Sequence, residues 1–231
     1  MTAHIKWKQT ILLACLCMPM VVLAQPTFGV KMSTLGYGIE AALALSEKMS
    51  VRVNYHRINL NLNTTQDDIE YDVDLKFNTL ATLLDWHPRR GGFRISGGVL
   101  VNNNEFKSQA IGQNEKEYDI GDETYTGDFT LTGKIAFRKI APYLGIGWGM
   151  PPSKKRGWSL LADIGVLYHG QPQIELNASG KIVRKRDKKE FNDINDPEFS
   201  EDLAKEQQKL NDDIKDWAFY PVVSLGFAYQ F

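Results

Sequence analysis

The chain has 231 residues, of which 27 are Lys or Arg and 28 are Asp or Glu, so its net charge at pH 7 is −1. This balance gives no electrostatic attraction to nucleic acid. The length fits one domain. Both cysteines, Cys15 and Cys17, lie within the first 24 residues. The remainder therefore has no thiol for a disulfide or a cysteine-based metal site.

The amino terminus predicts export. Lys6 and Lys8 precede an apolar stretch over residues 11–23, and small residues before Gln25 suit a signal peptidase. We therefore expect residues 1–24 to be a cleaved signal peptide and residues 25–231 to be the mature domain.

Alternating apolar residues predict β-strands throughout that domain. No apolar run after residue 24 reaches the roughly 18 residues that a transmembrane helix requires. A closed β-barrel also crosses a bilayer, because each backbone polar group then pairs with a neighbouring strand. Apolar side chains recur with the two-residue period of a strand. The predicted strands are residues 28–45, 51–62, 71–83, 93–102, 129–138, 143–149, 158–182 and 217–231.

The strand count depends on two long segments. Residues 28–45 and 158–182 give eight strands if each is one strand, and ten if they divide at Gly36 and near residues 170–172. Both counts are even, which places both termini on the periplasmic side. We expect eight strands.

Turns and irregularities are predicted at four places. The ten-strand alternative puts turns at Ser46, residues 89–92 and residues 139–142 on the periplasmic side, whereas the eight-strand count inverts that assignment. After Arg57 the apolar residues change parity, which predicts a bulge or the departure of the strand from the sheet.

The composition of the second face decides which side of each strand is inside. A soluble lipocalin-like barrel shows the same alternation with its apolar face inward. Here the second face carries Gly, Ala, Ser, Thr and charges of both signs, which is typical of a lumen. We therefore predict an all-β fold, a transmembrane antiparallel up-and-down barrel whose apolar side chains face lipid.

Charged and polar side chains on the second face form the predicted lumen. An eight-stranded barrel has little free interior, and buried charges persist only when they are paired. One hypothesis is a salt-bridged plug; the other is a narrow path that selects solutes by charge, with Asp72 and Asp74 attracting a cationic amino acid. The predicted inward residues are Glu40, Arg52, His56, Asp72, Asp74, Lys76, Arg94, Lys134 and Asp163.

Aromatic residues near strand ends predict a membrane girdle. Trp86, Trp148, Trp158 and Trp217 fall close to predicted strand ends, where interfacial aromatic residues belong. The alternative is that they are ordinary core tryptophans.

The last predicted strand ends on a row of aromatic residues. Phe227, Tyr229 and Phe231 alternate along it, and we expect this row to be the assembly signal that the barrel-assembly machinery recognises.

Two long connections separate the later strands. Residues 103–127 are polar and predict a loop. In residues 185–216, Asp196 and Pro197 predict a helix start. Apolar residues at helical spacing follow, so we expect a short amphipathic helix over residues 197–216. It either caps the barrel mouth, lies at the membrane surface or is solvated.

Catalytic and metal-binding motifs are missing from the sequence. The mature chain has His56, His87 and His169, and it contains no Gly-x-Ser-x-Gly, His-Glu-x-x-His or phosphate-loop pattern. We predict no enzyme, no cofactor and no metal. Basic residues at 154–156 and 181–189 either contact lipopolysaccharide phosphates or are charged loop tips that are simply solvated.

Several stretches together resemble one known group. They are residues 71–75, 141–149, 162–168, 170–176 and 220–226. In this order they are similar to the CarO-type barrels of the outer membrane. The resemblance implies eight strands without an obvious open pore, and it links the chain to uptake of ornithine and other basic amino acids and to carbapenem entry.

These patterns predict a monomeric protein in the outer membrane of a Gram-negative bacterium, in contact with lipid and lipopolysaccharide. The expected function is a narrow channel or uptake porin for small solutes such as basic amino acids. The alternative is a structural or surface-interaction barrel with a closed, salt-bridged lumen. An outer-membrane enzyme is the third and weakest hypothesis.

Overall fold

A computed structural model describes residues 26–66, 69–113, 116–149, 151–152, 156–191 and 196–231. The predicted signal peptide lies outside these residues. Across the described residues the chain forms fifteen strands and one helix, and none of the described segments is a helix with the length and hydropathy to cross a bilayer.

The strands have the following bounds, and helix α1 spans Pro197–Ile214. They are β1 (Thr27–Ser33), β2 (Gly36–Ser46), β3 (Met49–Gln66), β4 (Ile69–Trp86), β5 (Phe93–Asn102), β6 (Glu105–Ile111), β7 (Tyr118–Ile120), β8 (Glu123–Thr126), β9 (Phe129–Ala136), β10 (Ile140–Trp148), β11 (Gly157–Tyr168), β12 (Gln173–Gly180), β13 (Ile182–Arg184), β14 (Glu190–Phe191) and β15 (Phe219–Gln230).

Eight of these strands close into an antiparallel barrel. The order around the ring is β4, β3, β2, β1, β15, β11, β10 and β5, and β5 pairs again with β4. The first and last strands are neighbours, with Thr27 opposite Gln230. The Phe231 amide donates to the Pro26 carbonyl at 3.2 Å. We call this end of the barrel the terminal end and the other the extension end.

The predicted count of eight is confirmed. Residues 158–182 divide into β11 and β12 and are not one strand, and two further predicted boundaries, which affect the count, are wrong. Residues 28–45 are two strands that divide at Gly36, where φ is 105° and an added Cβ would lie 2.7 Å from the Arg57 carbonyl oxygen. Residues 139–142 are not a turn, because β9 leads into β10 without reversing direction. The two errors cancel in the count. As in the ten-strand alternative, the turns at Ser46 and residues 89–92 lie at the terminal end.

Five strands rise beyond the barrel as an open sheet, which we call the extension. It consists of β12, β9, β6 and the parts of β4 and β3 that lie beyond the barrel, in that order. Because β6 continues the direction of β5, part of the segment 103–127 that was expected to be a loop is a strand.

Strand β3 shows why the apolar residues change parity after Arg57. Its pairing with β4 runs from Met49 opposite Trp86 to Gln66 opposite Ile69 without a bulge, so the predicted irregularity is wrong. Inside the barrel part, the inward residues are polar and the outward ones apolar. In the extension Ile58 packs against the core, while Asn59 on the other face is exposed. The outer surface therefore turns from apolar to polar at this level.

Helix α1 covers the free edge of the extension. The Ile174 amide of β12 donates to Asn211 Oδ1 at 2.7 Å, and the Leu176 amide donates to Gln207 Oε1 at 3.0 Å. Residues four apart lie on one helix face, so these two amides reach successive outward N–H groups of one strand. Edge strands with unpaired backbone groups promote association with other chains, and α1 blocks that edge.

The same helix organises the two long connections into one small unit, which we call the loop domain. It comprises α1 and a sheet in the order β14-β13-β8-β7. Phe199 and Leu203 of α1 are buried in its core, and the Tyr125 hydroxyl donates to the buried Asp202 at 2.6 Å. The helix begins where the sequence predicts, with Asp196 accepting from the Glu198 amide at 3.0 Å.

Glycines on β10 and β11 make room for an inward tyrosine. At Gly165 an added Cβ would lie 2.4 Å from Tyr143 Oη and 2.7 Å from the Leu144 carbonyl oxygen. We expect Gly165→Ala to lower the free energy of unfolding by about 1–3 kcal/mol, the usual cost of overpacking, as measured by urea titration in detergent. Gly97→Ala is the control, because nothing lies within 4 Å of its added Cβ. Equal stabilities for the two variants would contradict this account.

Candidate functional site

The middle of the barrel contains a layer of six buried charged side chains, each from a different strand. Three are cations and three are anions, and no side chain in the layer is more than 5% exposed. Charges this deeply buried need partners that replace their hydration. The members of this charge layer are Lys31 on β1, Glu40 on β2, Arg52 on β3, Asp85 on β4, Arg94 on β5 and Asp163 on β11.

Arg52 is the centre of the charge layer. Its Nη1 donates to Glu40 Oε2 at 3.1 Å and to Asp163 Oδ2 at 3.1 Å. Its Nη2 donates to Asp85 Oδ1 at 3.0 Å and to the Ser96 hydroxyl oxygen at 3.1 Å. A planar guanidinium suits this position because its fixed donors reach several carboxylates at once.

The other two cations complete the neutralisation. Lys31 Nζ lies 2.5 Å from Glu40 Oε2 and 3.4 Å from Asp163 Oδ2. Arg94 Nη2 lies 2.7 Å from Asp163 Oδ1. With three charges of each sign in mutual contact, the layer is neutral, and each carboxylate in it has at least one cationic partner.

Gly147 on β10 and Gly149 directly after it provide the space that these side chains fill. An added Cβ at Gly147 would lie 2.3 Å from Asp163 Oδ1, and one at Gly149 would lie 1.9 Å from Arg94 Nη1. Any larger residue there would displace a charged group from its partners. The Gly-x-Gly spacing after Tyr143 is therefore explained by lumen packing.

Two small cavities lie beside the charge layer among the residues that the structure describes. A cavity of 20 Å³ on its terminal side and one of 30 Å³ on its extension side are both lined by Arg52. Such volumes hold one or two water molecules, since a water needs at least about 10–15 Å³. Small-molecule sites typically take about 300–1,000 Å³. The lumen is filled at this level.

His56 faces the larger of these cavities. It is 5% exposed, and its two ring nitrogens have no hydrogen-bond partner among the described protein atoms. Asn54 Oδ1 is also buried without a hydrogen-bond partner among the described protein atoms. The cavity is polar and large enough for the water that such groups require.

An apolar layer closes the lumen towards the extension end. Leu35 lies in the turn between β1 and β2, is 2% exposed, and packs with Leu83 and Leu100 inside the barrel. The Tyr220 hydroxyl holds this turn by donating to the Thr34 carbonyl at 2.9 Å. The barrel therefore has two consecutive barriers, one charged and one apolar.

Five of the predicted inward residues do lie inside the barrel. They are Glu40, Arg52, His56, Arg94 and Asp163, and all are buried. Their placement in the lumen agrees with the alternation of their strands. Their use as a solute path stays a prediction.

The other four predicted lumen residues lie elsewhere. Asp72, Asp74 and Lys76 lie on the outer face of the extension. The buried residues in the barrel part of β4 are odd-numbered and face inward, whereas these three residues are even-numbered. Lys134 on β9 stands opposite Lys107 and Glu175 in the same sheet. The prediction took every apolar residue as lipid-facing, but above the barrel the apolar face of the extension is its inner face.

Two members of the charge layer were missed. Lys31 alternates with Phe28, Val30 and Met32, and this short pattern was hidden by treating residues 28–45 as one strand. Asp85 was missed because β4 was given the wrong parity. A two-strand reading at Gly36 would have revealed Lys31.

His87 takes part in a buried serine–histidine contact near the terminal end of the barrel. His87 Nδ1 lies 2.9 Å from the Gly91 carbonyl oxygen and therefore donates to it, so that Nε2 accepts from the Ser50 hydroxyl at 3.3 Å. Ser50 and His87 are both buried. This serine–histidine contact ties the turn after β4 to the start of β3.

The predicted girdle tryptophans are exposed and lie at both ends of the barrel. Trp86, Trp148 and Trp158 stand at the terminal end with exposures of 48%, 58% and 71%. Trp217 is 70% exposed and directly precedes β15 at the extension end. This geometry suits two interfacial rings, and the alternative that they are core residues is wrong.

Carboxylates neutralise the basic cluster of the loop domain. The hydrogen bond from Arg184 holds the pKa of Asp187 well below its usual value. Little net positive charge is left there to attract phosphates, and the other predicted basic cluster lies outside the described residues except for Arg156. The ion pairs are Arg184 with Asp187 and Glu198, Lys185 with Glu117, Arg186 with Glu123, Lys189 with Glu198, and Lys181 with Glu190.

No protein-family model matches the chain, and no curated protein matches it in sequence. Among solved structures, the barrel is similar to CarO from Acinetobacter baumannii, with a TM-score of 0.57 and 19% identity over 90% of this chain and 99% of that one. It is also similar to CarO2 from the same organism, with a TM-score of 0.59 and 17% identity over the same shares.

At these identities the likeness establishes the fold. The chain is an eight-stranded antiparallel β-barrel. More particularly, its fold is that of CarO, so the resemblance predicted from the sequence is confirmed at the level of the fold.

The charge layer predicts a large effect of removing its central cation. Arg52→Met leaves three buried carboxylates facing two cations, so we expect the free energy of unfolding to fall by about 3–5 kcal/mol. Arg57→Met, on the exposed outer face of the same strand, should change it by less than about 0.5 kcal/mol. Urea unfolding followed by the heat-dependent gel shift measures both. Similar midpoints for the two variants would show that the layer does not stabilise the barrel.

Proposed function

We propose that this chain is an outer-membrane protein of a Gram-negative bacterium and that its barrel part crosses the bilayer. Outward apolar side chains such as Val30, Leu144 and Leu160 are 61%, 68% and 62% exposed. Burying apolar surface is favourable by about 25 cal/mol per Å², and hydrocarbon provides that burial here. The closed ring leaves no lateral backbone edge in the lipid.

The terminal end then faces the periplasm, as both termini of such barrels do, and the extension and the loop domain face the exterior. The outward aromatic row Phe227, Tyr229 and Phe231 on the strand that closes the ring supports recognition by the barrel-assembly machinery. We propose a monomer, because the ring is complete within one chain.

The function that the geometry supports best is that of a sealed barrel that displays its loop domain at the cell surface. The observation that carries this proposal is the neutral charge layer, in which Arg52 contacts Glu40, Asp85 and Asp163. A solute entering from outside would have to pass the apolar layer at Leu35 and then displace a guanidinium from three carboxylates. We propose no enzymatic activity.

A narrow channel for small solutes such as basic amino acids is the second candidate. One observation favours it, namely that the two water-sized cavities on either side of the charge layer share Arg52 as a lining residue. Rearrangement of Arg52 together with its charged partners would bring the two cavities closer to a continuous path. A cationic solute that competes for the same carboxylates is the kind of ligand that would cause such a rearrangement.

Solute entry into proteoliposomes separates the two candidates. Vesicles containing the folded barrel are mixed with ornithine or with a neutral sugar of similar size, and swelling is followed by light scattering. We expect both rates to equal those of vesicles without protein, because the lumen is sealed. A heat-dependent gel shift confirms that the reconstituted protein is folded.

Ornithine entry without sugar entry would support the second candidate and reject the sealed barrel. Entry of both solutes would also reject it and would indicate an unselective opening.

A further inference from the structure

We propose that a polar groove between α1 and the start of β12 binds the neutral sugar rings of an oligosaccharide. This inference rests on the proposed function, because it gives the surface-exposed loop domain a ligand. The groove has a volume of 570 Å³, which lies within the range of about 300–1,000 Å³ that small-molecule sites occupy.

Amide side chains dominate the groove. Five of its lining residues are Gln or Asn, and they come from both walls. A primary amide donates and accepts hydrogen bonds in fixed directions, which matches hydroxyl groups that also do both. Neighbouring hydroxyls on a sugar ring are the ligand with this pattern. The five residues are Gln171, Gln173, Gln207, Gln208 and Asn211.

Two of these amides are held in place by the sheet. Gln207 Oε1 accepts from the Leu176 amide, and Asn211 Oδ1 accepts from the Ile174 amide. Since the oxygen of Gln207 is directed at β12, the amide orientation is fixed before any ligand arrives. Such preorganisation reduces the ordering cost of binding. Gln171 and Gln208 are exposed and can turn towards a ligand.

The charges of the groove favour a neutral ligand. Glu175, Asp212 and Lys215 are its charged residues, so carboxylates outnumber cations by one. A phosphate group would be repelled here. The basic residues of the loop domain compensate little, because Arg184, Lys185 and Arg186 are each paired with a carboxylate.

The position of the groove also suits sugars at a membrane surface. Trp217 is 70% exposed, follows Lys215 by two residues and is the girdle tryptophan at the extension end. Girdle tryptophans lie at the level of the lipid head groups. The groove therefore opens where the sugar chains of outer-leaflet glycolipids begin, although soluble polysaccharides present the same chemistry.

Binding of two phosphate-free probes to the detergent-solubilised full chain tests this proposal. One probe is the dephosphorylated core oligosaccharide of a membrane glycolipid, and the other is maltotriose as a soluble neutral glucan. Saturation-transfer NMR measures the dissociation constants. We expect saturable binding of at least one probe. The probe that binds more tightly indicates whether the ligand comes from a membrane glycolipid or from a soluble polysaccharide. Inorganic phosphate should not compete.

Variants assign the binding to the groove. Gln171→Ala combined with Gln208→Ala should weaken binding about tenfold, which corresponds to about 1.4 kcal/mol. Neither residue supports β12, so the gel shift should be unchanged. Gln109→Ala, an exposed amide on the outer face of the extension, is the matched control and should bind as wild type.

Three results would overturn the proposal: no saturable binding of either probe, equal weakening by Gln109→Ala, or displacement by phosphate. None of them depends on whether solutes cross the barrel. A sealed barrel without sugar binding would reject this inference alone, whereas solute entry would reject the sealed-barrel proposal alone.

Discussion

The contact between one guanidinium and three carboxylates is the constraint on which the rest of this barrel depends. Arg52 is held by Glu40, Asp85 and Asp163, which come from three other strands. Buried charges are tolerated only when their partners are placed accurately. The register of those strands must therefore hold, because a slip by one residue would turn each charged side chain outward.

This requirement explains features that look unrelated along the chain. Gly147 lies beside Asp163, and Gly149 lies beside Arg94, so small residues at the end of β10 and directly after it leave room for the charged groups. Lumen closure follows from the same packing, since the space that a channel would need is occupied by the charges and the glycines that receive them. In the proposed sealed barrel, the same arrangement of charges supports the structure and blocks solutes.

The two-residue period sufficed to predict strands, their approximate number and the outward aromatic ends. The period did not predict which way each side chain faces along a whole strand. Apolar residues face outward in the barrel part, but in the extension they face inward. Asp72 and Asp74 were misplaced for this reason. Lys31 was missed because residues 28–45 were taken as one strand, and Asp85 was missed because β4 was given the wrong parity. Asp196 was predictable, because helix capping is a local interaction.

If the barrel crosses a bilayer as proposed, the reversal of polarity along β3 and β4 fixes how deeply it sits. Tyr55 and Leu80 are opposite one another, and two residues further along β3 Arg57 and Asn78 are opposite one another. Sinking by one such step would immerse Arg57 in hydrocarbon, and rising by one would expose Tyr55 and Leu80 to water. Both displacements cost free energy, so the loop domain of an embedded barrel would stay at one height above the lipid.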